Sequence, residues 1–191
     1  LIFFVSVSAL DIEFYTMPIQ SSYIVDINEP AMFDLTITNF GETDTFEIYS
    51  LVGVDISPKT ITINSKETKK ITINVMPQES LKMKKLPLNF VYKIKNSKGE
   101  IKEDSLSINI IGLESAFSLT PSSINPGSEK ISITIKNNLN LNFETIAINL
   151  QSAFFDFQDS YTISPREILQ IDIPLSKEKI RSLDAGRYLM N

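Results

Sequence analysis

The 191-residue chain contains no cysteine, no histidine and no tryptophan. Without cysteine there is no disulfide and no thiol chemistry. Without histidine it lacks the usual general base at neutral pH and the commonest zinc ligand. Nucleophile–base pairs of the familiar kind therefore cannot be assembled, and enzymatic readings retreat to carboxylate pairs or a Ser–Lys dyad. Glycine is scarce, with six residues, and no G-x-G-x-x-G or P-loop spacing occurs, so nucleotide binding has no support. Positive charge is in deficit: 18 Lys and Arg against 23 Asp and Glu leave a net charge of −5. That balance argues against nucleic acid as a partner. No asparagine stands two residues before Ser or Thr, which excludes the usual N-glycan sequon. The reading that follows is non-enzymatic, with no catalytic, metal or cofactor residue assigned.

What the chain does have is repetition. L-T-I-T-N at residues 35–39 returns in altered form as I-T-I-K-N at residues 133–137. Ser65-Lys66-Glu67 leads into Ile71-Thr72-Ile73, and Ser164-Pro165-Arg166-Glu167 leads into Ile171-Asp172-Ile173. Tyr92 and Tyr188 fall in comparable places. An offset of about 100 residues is the size of one small β-sandwich and far longer than a solenoid repeat. Period-2 alternation fills the intervals, as in Phe33-Asp34-Leu35-Thr36-Ile37-Thr38 and in residues 71–75, 88–94 and 106–110. Turn residues separate the runs, and Asn96-Ser97-Lys98-Gly99 marks a hairpin. In the second half, strands are expected at residues 131–135, 143–150 and 168–173, after a turn at Asn125-Pro126-Gly127. The expected fold is all-β, two tandem immunoglobulin-like sandwiches over residues 11–111 and 112–191, closely joined at Ile111-Gly112-Leu113-Glu114. The inward set expected of the first module is Phe33, Leu35, Ile37, Phe46, Ile48, Ile61, Ile63, Ile71, Ile73, Leu88, Phe90, Leu106 and Ile108.

Both ends carry expectations. Residues 1–10 open with an apolar run too short to span a bilayer, with Val7 and Ala9 placed as the small residues before a signal cleavage site. The alternative is a buried first strand. The second module stops soon after Ala185-Gly186-Arg187-Tyr188, before the closing hairpin seen in the first, so it is expected to be incomplete and the chain a fragment.

Few residues suggest chemistry. Ser176-Lys177-Glu178-Lys179 fits S-x-x-K but lacks the companion motifs and reads as a solvated loop. Asp26 with Glu29, Glu42 with Asp44, and Asp156 with Asp159 are loop acids without a calcium ladder. Lys82, Lys84 and Lys85 form a basic cluster able to touch an anionic polymer or membrane surface. Together with Lys66, Lys69 and Lys70, they better suit a role in discouraging strand-to-strand association. Thr36, Thr38, Thr62, Thr72, Ser105, Ser107, Ser132 and Thr134 form hydroxyl faces suited to meeting carbohydrate or carrying O-glycans, though strand propensity alone accounts for them.

Residues 33–48, residues 56–63 and the run from Glu67 to Pro77 resemble immunoglobulin-like modules of the CARDB and NPCBM-associated type. The likeness is looser over residues 117–190. Such modules stand in tandem in secreted and surface proteins of archaea and bacteria and share no catalytic set. The resemblance implies a non-catalytic extracellular or cell-surface module, a spacer or adhesive segment of a longer protein. Its partners would be a protein, a cell-surface polysaccharide or neighbouring domains of that longer chain. The rival expectations are an accessory region of a secreted enzyme and a carbohydrate- or peptide-binding module working through an exposed edge.

Overall fold

The computed structural model describes residues 10–125 and 127–176. The chain divides into two compact units, Leu1–Leu113 and Glu114–Asn191, so the division falls within the Ile111-Gly112-Leu113-Glu114 stretch.

Among its described residues unit 1 holds nine strands: β1 (Ile12–Gln20), β2 (Ser22–Ile24), β3 (Ala31–Asn39), β4 (Asp44–Ser50), β5 (Val54–Ser57), β6 (Thr60–Ile63), β7 (Thr68–Pro77), β8 (Pro87–Lys95) and β9 (Ile101–Ile111). A short helix, α1 (Glu79–Lys82), links β7 to β8. One sheet runs β1-β3-β7-β5 and the other β2-β9-β8-β4-β6. Every pairing is antiparallel except that of β2 with β9. The alternation dictates this: along β3, Ala31, Phe33, Leu35, Ile37 and Asn39 are buried while the residues between them are half-exposed. Residues from both sheets build one core, including Leu35, Ile37 and Ile73 from the first and Phe46, Ile48, Ile63, Ile94 and Ile108 from the second.

Ten of the thirteen residues expected inward are buried; Ile71, Leu88 and Leu106 are half-buried, though they still pack on the core. Leu106 lies on a stretch of β9 that β8 pairs on one side and nothing described pairs on the other. The expected set left out Ile12, Tyr23, Tyr92 and Ile94, all buried. The β8–β9 hairpin forms where Asn96-Ser97-Lys98-Gly99 places it. Asn96 Oδ1 accepts from the amides of Lys98 and Glu100, and Gly99 takes the positive φ of 86° that the turn requires.

Unit 2 holds β10 (Phe117–Pro121), β11 (Lys130–Asn137), β12 (Phe143–Gln151), β13 (Asp156–Ile163) and β14 (Ile168–Pro174). They form a sheet β10-β11-β14 and a pair β12-β13. Ile131, Ile133, Ile135, Leu150, Ile163, Ile171 and Ile173 make its core. Asp156 and Asp159, expected in a loop, lie instead on β13, opposite Gln151 and Ile148 of β12. Three residues apart on a strand, their side chains leave opposite faces and cannot share an ion. The expectations for residues 1–9 and for Lys177, Glu178, Lys179 and Tyr188 lie outside the described residues.

The sequence repeat corresponds to one structural device used in each unit. Asn39 ends β3 with its side chain buried; Nδ2 donates to the carbonyls of Glu42 (2.7 Å) and Ile63 (3.2 Å), and Oδ1 accepts from Gly41 N–H. Asn137 ends β11, fully buried, donating to Leu141 (2.7 Å) and Ser164 (2.8 Å) and accepting from Leu139 N–H. Beside each, a glutamate closes a turn. Glu67 Oε2 accepts from Asn64 N–H at 2.8 Å, and Glu167 Oε2 accepts from Ser164 N–H at 2.6 Å. Lys66 and Arg166 hold the left-handed position in those turns, at φ 60° and 62°. A buried amide with several partners ties the strand end to the turn, because leaving any of those carbonyls unpaired would be costly.

Candidate binding groove

Unit 1 has two strand edges that open on the same seam. β1 pairs with β3 and has no strand on its other side among the described residues. β9 pairs with β8 over Ile101–Asn109, whereas β2 covers only its far end, at Asn109, Ile110 and Ile111. Backbone direction follows from the hydrogen bonds already made. The Asp11 carbonyl is taken by Phe40 N–H on the β3 side, so Ile12, Phe14 and Thr16 turn their amides and carbonyls outward. The Asn109 amide donates to Ser21, away from β8, so Ser107, Ser105, Glu103 and Ile101 present theirs to the open side in the same way.

Between these edges lies a groove of about 420 Å³ lined by Ile12, Glu13, Phe14, Tyr15, Thr38, Lys102, Glu103 and Asp104. Beneath it, Phe14 meets the Tyr92 ring edge-on at 5.8 Å, and the Tyr92 hydroxyl lies 3.4 Å from Thr16 Oγ1. Burial pushes the Tyr92 phenol up to about 12, so it stays protonated at physiological pH. Exposed apolar side chains border the seam: Tyr15 and Met17 on β1, Phe40 beside Asp11, and Ile101 at the start of β9.

Charged side chains occupy the open edges. Lys102 Nζ donates across the seam to the Ile12 carbonyl, and Asp104 Oδ1 accepts from Ser105 N–H at 2.8 Å. Glu103 pairs with Lys93 at 3.0 Å. Lys102 and Asp104 share strand parity with Leu106 and Ile108, so they stand at positions that farther along β9 face the core. Charges so placed discourage indiscriminate strand addition while leaving the backbone available to a partner that displaces them.

Of the groove residues, only Thr38 was named from the sequence, as part of a hydroxyl face. The legible signal was the Lys102-Glu103-Asp104 run, which interrupts the apolar alternation of β9. The charged groups that sequence reasoning weighed fall elsewhere. Asp26 Oδ2 accepts from Leu113 N–H at 2.6 Å, and Asp44 Oδ1 accepts from its neighbour Thr45. Lys69 reaches the Thr62 carbonyl, and Lys70 pairs with Asp34 at 2.6 Å, a hydrogen bond that raises its amine above the usual lysine range. Several hydroxyls pair across strands, as Thr38 with Thr68 and Thr45 with Thr62, both at 2.9 Å. No helix among the described residues is long and apolar enough to cross a membrane.

No family model and no curated protein matches the chain. Among solved structures it is similar to the Pseudomonas aeruginosa CupB2 chaperone, at 10% identity over 93% of this chain and 98% of that one, TM-score 0.34. It is similar also to the class 5 fimbriae chaperone CfaA, at 13% identity over 94% and 98%, TM-score 0.35. A third is the E. coli chaperone DraB, at 7% identity over 85% of each chain, TM-score 0.36. Likenesses of this size transfer no activity. The expected structural or adhesive spacer finds no support among them, for all three are chaperones and none is a module of the CARDB or NPCBM-associated type.

Proposed function

We propose that the chain is a non-enzymatic polypeptide-binding protein built of two immunoglobulin-like modules, and that unit 1 takes an extended segment of a partner protein along its open seam. The observation that carries this reading is the pair of edges that no described strand covers, Ile12–Met17 of β1 and the Ile101–Ser107 stretch of β9, facing one groove. Main-chain hydrogen bonds to an added strand supply affinity, and side-chain pockets supply selectivity. Phe14, Tyr15 and Met17 offer apolar contact beside the edge, and Lys102 and Asp104 yield their backbone bonds to the incoming chain. The Asn39 and Asn137 devices support two copies of one module. The apolar stretch at residues 1–9 supports a location outside the cytoplasm.

The test is amide chemical-shift mapping on the full chain with a short synthetic peptide of alternating valine and threonine. Shifts should concentrate at Ile12–Met17 and Ile101–Ser107. Ser105→Pro removes an outward amide without touching the β8 ladder and should abolish them. Shifts spread elsewhere, or unchanged in Ser105→Pro, would refute the reading.

A further inference from the structure

The opposite end of unit 1 has a different surface chemistry. The groove lies where β9 begins; β8 begins at the other end, with Pro87 opposite Asn109. There, large apolar side chains stand in solvent on two abutting connections: Leu51 (73% exposed) and Val52 (62%) between β4 and β5, and Met83 (89%) and Leu86 (59%) between α1 and β8. Isolated exposed apolar residues are ordinary, but a cluster on neighbouring turns marks a contact surface.

These turns are held in place. Gln78 N–H donates to the Gly53 carbonyl at 2.8 Å. Gly53 has φ 61°, and a Cβ there would run into Leu81 Cδ1, so α1 packs directly on the β4–β5 turn. Ser50 Oγ donates to the Val91 carbonyl at 2.8 Å and accepts from Val52 N–H at 3.3 Å. The apolar tips are therefore presented by ordered backbone.

The charge pattern selects the occupant. Residues 78–86 contain Lys82, Lys84 and Lys85 against the single acid Glu79, a net charge of +2 in a chain of net −5. Lys82 is anchored by Glu79 (2.6 Å) and Asn28 (3.0 Å), with its ammonium 5.4 Å from the Tyr23 ring centre. The neighbouring Asp26 is engaged with the Leu113 amide. We propose that this end of unit 1 docks on an anionic lipid bilayer, with Leu51, Val52 and Met83 entering the headgroup region and Lys84 meeting lipid phosphates. Apolar tips interleaved with lysines suit an interface that is oily beneath and negative at its surface. The groove, at the far end of the same sandwich, then faces away from the bilayer.

The experiment is co-sedimentation of the full chain with vesicles of phosphatidylglycerol in phosphatidylcholine, beside vesicles of phosphatidylcholine alone, at low and high salt. Binding should favour the anionic vesicles and fall with salt. Lys84→Gln should weaken it by about fivefold and Lys84→Arg should restore it, since each lysine near the surface contributes on the order of 1 kcal/mol. Met83→Ser should weaken it by roughly tenfold or more. Circular dichroism on each variant separates lost binding from lost fold. Sedimentation no greater with anionic than with neutral vesicles would overturn the proposal, as would binding unchanged in both Met83→Ser and Lys84→Gln.

Discussion

Tyr92 shows how one position acquires its properties from its surroundings. The alternation of β8 places its side chain on the face of Phe90 and Ile94, and burial between the sheets then disfavours its ionised form. The sign of the linkage follows. A phenol whose folded value lies near 12, against 10.0 as reference, favours the folded state fully below pH 10. That contribution is lost as pH rises through 12. Tyr92→Phe keeps the ring contact with Phe14 and removes the ionisable group. It should therefore unfold less steeply with pH above 10 than the parent, as followed by near-ultraviolet circular dichroism. Identical alkaline profiles would mean the phenol is not buried.

At the scale of the element, register decides everything, because a strand's side-chain period is two. In β3, Ile37 is fully buried while Thr36 faces the other side beside Lys70 and Tyr15. Replacing Ile37 with Ala should cost about 2–5 kcal/mol, and Thr36→Ala about 0.5 kcal/mol or less in either direction. Urea denaturation would measure both, and equal costs would place the register one residue off. The same period made β3, β7, β8 and β9 legible in the sequence. It did not reveal β13, whose Asp156-Phe157-Gln158-Asp159-Ser160 opening is mostly polar and reads as loop until β12 is there to pair with it.

For the whole molecule, the two units have separate cores, each locked by its own buried asparagine. Asn39→Ala and Asn137→Ala each leave buried carbonyls without a donor, a loss of about 1–3 kcal/mol. Calorimetry of the full chain should show two transitions, with Asn39→Ala lowering one and Asn137→Ala the other. A single transition lowered equally by both would show that the units melt together.

The sequence by itself determined the all-β character, most strand faces, the turn at Asn96-Ser97-Lys98-Gly99 and the recurrence of the Asn and Glu positions. These depend on side-chain period and turn chemistry, which are local to a few residues. Only the tertiary structure decided that β2 covers just the far end of β9, that Lys102 spans the seam to Ile12, and that Leu51 and Met83 stand on abutting turns. Which edges stay open and which loops meet depends on the pairing of strands far apart in the chain. Alternation along a single strand carries no record of its neighbours.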